Sequence, residues 1–149
     1  MRTLSSLLVK SLQSNLNANV IGKKVNGTWC WSSRETLLNN VYYCRELLKQ
    51  ENIQRGDRVA YKGDNSIEWI SWNIACNSLG GVWVPMYANQ NMDYCNHVVN
   101  DSGASLCITD DADISFKNTK TMENRIVEIP EACKSLEFIE NDIATLIYT

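Results

Sequence analysis

The chain has 149 residues, of which 44% are hydrophobic and 21% are charged, and this composition is typical of an ordinary folded domain. A domain of this size buries roughly 70% of the surface that its unfolded chain exposes. The formal net charge of −3 gives no global attraction to nucleic acid. No run approaches the roughly 18 apolar residues that a membrane-spanning helix needs. We therefore expect one domain that neither spans a membrane nor binds nucleic acid.

The charges are unevenly distributed along the chain. Residues 1–62 hold ten Lys/Arg and four Asp/Glu, whereas residues 63–149 hold four and thirteen. No Lys or Arg lies between Lys62 and Lys117. Side chains of that middle stretch are poor candidates for binding phosphate, so an anion site in the fold would need backbone N–H groups or residues elsewhere.

The N-terminal segment has two interpretations. Residues 1–34 contain five Lys/Arg, no acidic residue and many Ser and Leu, which is typical of an organelle transit peptide. The interpretation that we favour is a surface helix with one apolar stripe that packs on the domain. The leucines of that stripe are Leu4, Leu7, Leu8, Leu12 and Leu16. We accordingly expect a cytoplasmic protein, with organelle targeting as the minor alternative.

A hairpin and a long helix are predicted next. Residues 20–21 and 24–31 have the pattern of short strands, with Asn26-Gly27 as the turn between them. Ser32 is predicted to cap the following helix, with Glu35 completing a capping box. This helix is expected to end near Gln50.

Strands and helices then alternate. Strands are predicted at residues 58–62, 82–86, 104–109, 125–129 and 143–148, with Pro85 and Pro130 ending two of them. Helices are predicted from Asn65-Ser66 to Gly80-Gly81 and from Asn91 to Asn100. Residues 131–140 are expected to be irregular or a short helix. This alternation indicates right-handed βαβ units. The predicted fold class is α/β: three layers, a mostly parallel sheet, flanking helices and a small hairpin near residues 20–31.

No metal or catalytic constellation is evident from the residue pattern. His97 is the only histidine, precedes two valines, and is better explained as a packed or surface side chain than as a catalyst. Asp110, Asp111 and Asp113 lack the glycine and distal glutamate of a calcium loop, so we interpret them as a solvated turn.

The cysteines and tryptophans favour structural roles. No two of the six cysteines have the close spacing of a zinc or redox motif, so we expect six reduced thiols in a cytosol-like compartment. The five tryptophans lie in apolar helix and strand patterns without interleaved Lys or Arg. We expect them to pack in the core rather than to stack on nucleic-acid bases.

A series of landmarks in the chain resembles the N-terminal part of the adenylate-forming enzymes, the acyl-CoA synthetase and luciferase-like family. The landmarks are Trp29 and Trp31, Gly56-Asp57-Arg58-Val59-Ala60, Asn65-Ser66 with Glu68-Trp69, Ala75, Gly80, Val84-Pro85 with Tyr87, Asp101-Ser102, and Ile147-Tyr148-Thr149. Each is weak alone, but their order and spacing over residues 25–149 make the resemblance specific. The segments at residues 68–69 and 84–87 look most like acyl-CoA synthetases for longer fatty acids.

The resemblance implies a two-step reaction. A carboxylic (fatty) acid attacks ATP to give an acyl-adenylate, with Mg²⁺ balancing the phosphate charge, and coenzyme A then displaces AMP. The family's glycine-rich phosphate loop, later nucleotide motifs and catalytic lysine match nothing in these residues. Only Tyr148 and Thr149, at the start of that loop, carry over as candidate ATP-binding residues, with no catalytic and no metal-binding residue.

Residues 1–149 are thus expected to be the N-terminal part of such a domain, ending just before the loop, as a fragment or a truncated relative. We expect no firm binding of ATP, Mg²⁺ or CoA to this span, no activity alone, and self-association through an exposed sheet edge. One alternative is a non-catalytic binding module built on the same subdomain. Another is an unrelated flavodoxin-like domain, which ranks lower because residues 63–65 and 88–90 are not glycine-rich turns.

Overall fold

The chain alternates helices and strands around a parallel sheet. The computed structural model describes residues 3–109, 119–121 and 135–149. The helices in these ranges are α1 (Leu4–Ser14), α2 (Arg34–Gln50), α3 (Ile67–Ser78) and α4 (Met92–Ser102). The strands are β1 (Asn19–Val25), β2 (Thr28–Ser33), β3 (Arg58–Gly63), β4 (Val82–Tyr87), β5 (Leu106–Thr109) and β6 (Thr119–Thr121). No helix in the described part of the chain is long and apolar enough to cross a bilayer.

The main sheet has the strand order β4-β3-β5-β6, and all of its pairs are parallel. From β3 the chain moves to β4 on one side and then crosses back over β3 to β5 on the other side. Because crossover connections are right-handed, these two opposite moves place α3 and α4 on opposite faces of the sheet. The predicted α/β class with a parallel sheet and flanking helices is confirmed.

Each face of the sheet has its own core. Val59 and Tyr61 of β3 belong to the larger core with α2 and α3, whereas Ala60 belongs to the smaller core with α4. Successive strand residues point to opposite faces, so a strand covered on both sides is apolar throughout. The predicted three layers follow from this alternation.

The small hairpin is confirmed, but the helix cap beside it differs from the prediction. Asn26 and Gly27 have φ values of 48° and 83°, as a two-residue hairpin turn requires. Ser33, not Ser32, caps α2, and its hydroxyl accepts from the backbone N–H of Thr36 at 3.1 Å. Strand pairing persists to Ser33 opposite Asn19, so Ser33 is the last extended residue and the predicted capping box with Glu35 is wrong.

Helix α1 forms as predicted, but the prediction that its leucine stripe packs on the domain is mostly wrong. Leu12 and Val9 are buried, whereas Leu4 is 86% exposed. Leu7, Leu8 and Leu16 are also exposed. Among the described helices and strands, α1 packs mainly against α2 and α3, and this packing buries fewer of its side chains than the stripe supplies.

The terminal segment, residues 143–148, does not form the predicted strand. It bridges β4 at one point, where Trp83 N–H donates to the Ala144 carbonyl and Leu146 N–H donates to the Trp83 carbonyl, both at 2.9 Å. Asn77 of α3 also donates to the Ala144 carbonyl at 2.9 Å. The terminal segment is therefore held by side chains of α3 and α4 rather than by a regular ladder of backbone hydrogen bonds to β4.

The remaining expectations have mixed outcomes. Residues 135–140 contain no helix or strand, whereas β6 was not predicted. The strand expected at residues 125–129 and the acidic turn at 110–113 lie outside the described residues.

The segment Gly56-Asp57-Arg58 has a structural role. The Arg58 guanidinium donates to the carbonyls of Ser102 at 2.7 Å and Gly103 at 2.8 Å. These carbonyls end α4, where a cation satisfies unpaired acceptors and complements the helix dipole. This landmark therefore fixes α4 against the sheet.

Candidate binding cleft at the carboxyl edge of the sheet

An open cleft lies at the carboxyl ends of β3 and β4, and we call it the carboxyl-edge cleft. Its volume is about 490 Å³. The lining residues are Gly63, Asn65, Trp69, Pro85, Met86, Tyr87, Gln90, Tyr94, Ile147, Tyr148 and Thr149. The chain leaves β3 for α3 on one face and leaves β4 for α4 on the other. Open α/β sheets bind ligands at this kind of divergence, outside the carboxyl ends of the strands.

Two helix caps place aromatic side chains in this cleft. The Ser66 hydroxyl accepts from Trp69 N–H at 3.1 Å at the start of α3. The Asn91 side chain accepts from Tyr94 N–H at 2.8 Å at the start of α4. Both helices start at the carboxyl edge, so their first turns form two walls of the cleft.

Tyr148 and Thr149, the two residues predicted from the sequence, both line the carboxyl-edge cleft. The Tyr148 hydroxyl donates to Asp101 Oδ2 at 2.7 Å, and the Tyr94 hydroxyl donates to the Tyr148 carbonyl at 3.1 Å. The hydrogen bond to Asp101 raises the pKa of the Tyr148 phenol, because removing its proton would leave two facing negative charges. Two contacts from α4 thus hold the terminal segment, and Thr149 is exposed beside it.

The described residues that line the cleft carry no charged side chain. None of its lining residues is Lys, Arg, Asp or Glu. Lys62 lies in the strand behind it, is only 6% exposed and donates to the Ala88 carbonyl. Its ammonium thus holds the connection between β4 and α4 that carries Gln90 of the cleft.

This lining suits a neutral or apolar group and does not fit a triphosphate or Mg²⁺. Side chains that bind Mg²⁺ are carboxylates, and phosphates are bound by cations or by arrays of backbone N–H groups. No group of His, Cys, Asp or Glu among the described residues could hold a metal ion.

His97 is exposed, and its ring meets the edge of the Tyr148 ring with centroids 6.1 Å apart. The prediction was a packed or surface side chain, and the structure gives a surface one. Sequence reasoning did not propose Trp69, Tyr87, Gln90 or Tyr94 as site residues. Trp69 and Tyr87 were landmarks of the family resemblance, but their place near the carboxyl ends of β3 and β4 indicates a cleft only when the strand order is known.

The prediction of reduced thiols is confirmed for the five described cysteines, and Cys133 lies outside the described residues. Cys30 is exposed, whereas Cys44, Cys76, Cys95 and Cys107 are buried. Burial raises the pKa of Cys76 and of Cys107 to about 12, since the thiolate is poorly solvated there. These buried thiols are core side chains rather than nucleophiles.

The prediction that the tryptophans pack in the core is wrong for two of them. Trp72 and Trp83 are buried and Trp69 is half-buried. Trp29 and Trp31 are 57% and 55% exposed, and their rings stack with centroids 5.8 Å apart. They lie on the hairpin, and no other described helix or strand covers this face.

The fold and the cleft define a parallel α/β domain of the kind found in adenylate-forming enzymes. The structure of VinN with L-aspartate is 20% identical and superimposes with a TM-score of 0.81 over 99% of this chain and 44% of that one. A fatty acyl-adenylate ligase from L. pneumophila, in complex with acyl adenylate and pyrophosphate, is 18% identical with a TM-score of 0.78. The match covers 96% of this chain and 27% of that one. Likeness at these identities shows the shared fold.

The sequence itself establishes the family. The model of the AMP-binding enzyme family matches residues 17–149, so the chain belongs to the AMP-binding enzyme family, and the resemblance predicted from the landmarks is confirmed. Membership implies ATP, Mg²⁺ and CoA as ligands of complete enzymes of this kind.

Two curated relatives agree with this assignment. A feruloyl-CoA synthase from Amycolatopsis sp is 36% identical over 61 residues, which is 41% of this chain. A long-chain-fatty-acid–CoA ligase from Mus musculus is 30% identical over 81 residues, which is 51% of this chain. The matched part of this chain spans only 12% of the length of each relative.

Proposed function

We propose that this chain is the supporting part of the N-terminal subdomain of a cytoplasmic, ATP-dependent acyl-CoA synthetase. Such an enzyme converts a carboxylic acid to an acyl-adenylate and transfers the acyl group to CoA. Two named relatives act in CoA-ester formation, one with ferulic acid and one with long-chain fatty acids, which supports a carboxylic acid as substrate. The free thiols of the described residues agree with a reducing compartment.

One observation carries the proposal: the carboxyl-edge cleft contains the terminal segment and holds it from α4. Asp101 and Tyr94 fix Tyr148 in position. In our proposal this contact orients Thr149 as the start of the family's phosphate-binding loop. The neutral cleft itself binds an uncharged part of a substrate.

We further propose that the 149 residues do not catalyse adenylate formation alone. Adenylation needs donors and a cation around the phosphates, and neither the cleft nor the sequence supplies a glycine-rich loop for them. With ATP, Mg²⁺ and a panel of fatty acids, pyrophosphate release should equal that of the enzyme-free control. Turnover above the control would contradict this proposal.

A chimera tests the supporting role directly. Residues 17–149 would replace the matching span of the mouse ligase, and the chimera is expected to keep measurable acyl-CoA formation. The same chimera carrying Tyr148→Ala should lose activity mainly through kcat, because Thr149 would no longer be oriented. An active Tyr148→Ala chimera would remove the orienting role.

The coding sequence beyond Thr149 offers a second test. A continuation of the Ser-Gly-Thr-Thr-Gly type is expected, and an unrelated domain there would count against the proposal. An unrelated continuation together with saturable binding of fatty acid by the inactive 149-residue protein, measured by calorimetry, would instead favour the non-catalytic binding module.

A further inference from the structure

The hairpin tip comprises residues 23–31, where β1 turns into β2. All nine of these residues are exposed, and β1 and β2 form a separate two-stranded sheet that is not hydrogen-bonded to the main one. Trp29 and Trp31 lie on one face of this tip with their rings stacked at an interplanar angle of 26°. Two large aromatic side chains are thus exposed side by side on this tip.

A glycine on the opposite strand makes room for the ring of Trp31. Gly22 pairs with Trp31, and a Cβ atom at Gly22 would lie 2.9 Å from the Trp31 ring. The Trp31 ring therefore lies over Gly22. Because Gly22 has no side chain, the ring can lie flat against β1. The exposed tryptophan pair is a packed feature of the hairpin.

The charge around the pair has one sign. Lys24 pairs with Trp29 across the hairpin and lies on the same face, and Lys23 is its neighbour. Both lysines are exposed. No acidic residue occurs in residues 1–34, so the tip's own charge is positive and favours contact with anionic surfaces.

We propose that the hairpin tip docks the protein on anionic lipid bilayers. Tryptophan rings favour the interface between headgroups and acyl chains, and each lysine near an anionic leaflet strengthens binding about fivefold. The size of the tip favours a bilayer over a protein partner. Two half-exposed tryptophans offer far less than the roughly 800 Å² per partner of a stable protein interface. This inference holds whether or not the enzyme activity proposed above is correct.

Vesicle co-sedimentation of the 149-residue protein tests the proposal. Phosphatidylcholine vesicles containing phosphatidylserine should bind the protein at least about tenfold more strongly than pure phosphatidylcholine, with binding weakened by salt. Trp29→Ser with Trp31→Ser should weaken binding at least about tenfold. Met92→Ser, which removes a 40% exposed side chain on α4, is the matched control and should bind normally.

Two charge-reversal variants test whether the lysine beside the tryptophan pair contributes to vesicle binding. Lys24→Glu should weaken binding more than tenfold, whereas Lys10→Glu, the same change on exposed α1, should have a smaller effect. Quenching of tryptophan fluorescence by brominated phosphatidylserine should disappear in the double tryptophan variant. Failure to bind either vesicle, or equal binding by the double tryptophan variant, would overturn the proposal. Absence of vesicle binding together with a fluorescence shift on adding poly-glutamate would assign the tip to an acidic protein partner instead.

Discussion

At the scale of single residues, hydrogen-bond partners and burial decide which side chains can react or titrate. Tyr148 is bound through its hydroxyl to Asp101, and four thiols are enclosed in the two cores. None of these properties follows from the residue type, since each depends on a neighbour that is distant in the sequence.

We expect the pKa of Tyr148 to lie above the ordinary value of 10. A raised pKa favours the protonated phenol in the folded state. The resulting stabilisation is complete below the unfolded pKa and is lost as the pH rises through the folded pKa. Asp101→Asn should bring the Tyr148 pKa back towards 10 by removing the facing charge.

The titration can be followed by NMR of ¹³C-labelled tyrosine rings, with Tyr148→Phe identifying the resonance. Identical Tyr148 titrations in the wild type and Asp101→Asn would show that the carboxylate does not act on the phenol.

Thiol labelling should discriminate sharply among the described cysteines. The thiolate is the reactive form, and burial both blocks access and raises the pKa of Cys76 and Cys107 to about 12. Cys30, which is exposed, should react first with a maleimide at neutral pH, and Cys30→Ser should abolish that fast reaction. Peptide mapping by mass spectrometry makes the comparison. Fast labelling of Cys76 in the native protein would mean that the larger core opens readily.

At the scale of secondary-structure elements, short polar contacts join the helices to the sheet. Arg58 binds the end of α4, and Asn77 connects α3 to the terminal segment. Such contacts explain why α4 can hold Tyr148 at the carboxyl edge although it contributes only to the smaller core.

Arg58→Met should lower the free energy of unfolding by about 2 kcal/mol, because charge-assisted hydrogen bonds to the carbonyls at the end of α4 are lost. Arg55→Met is the matched control. The Arg55 side chain is 60% exposed in its ion pair with Asp142, so its loss should cost under about 1 kcal/mol. Urea denaturation of both variants measures the difference. Equal losses would show that Arg58 does not specifically anchor α4.

At the scale of the whole molecule, the terminal segment leaves apolar surface uncovered at the β4 side of the sheet. Ile143 and Ile147 are 61% and 75% exposed, and Tyr87 at the end of β4 is 70% exposed. Apart from the bridge at Thr145, no strand among the described residues pairs with the outer side of β4. Apolar surface beside an unpaired edge favours association with another chain.

We therefore propose that the 149-residue protein self-associates through this edge. Sedimentation velocity should show an average mass that rises with concentration, and Ile143→Lys with Ile147→Lys should shift the protein towards monomer. Val25→Lys, on the hairpin and 45% exposed, should leave the association unchanged. A monomer at every concentration would remove the role of the exposed edge.

The sequence by itself was enough to predict the α/β class, the order of its elements up to β5 and the family. These features are local. The turn Asn26-Gly27, the cap Ser66 and the glycine Gly80 after α3 act on their immediate neighbours, and continuous apolar runs reveal which strands are buried on both faces.

Only the tertiary structure decided where the cleft lies and which side chains line it. The strand order β4-β3-β5 brings the ends of β3 and β4 together, and a pattern of period two carries no information about which strands are neighbours. The same limit explains the errors at Trp29 and Trp31, at the α1 leucines and at residues 143–148. An apolar residue is buried only if another layer covers it, and that layer comes from parts of the chain that are distant in sequence.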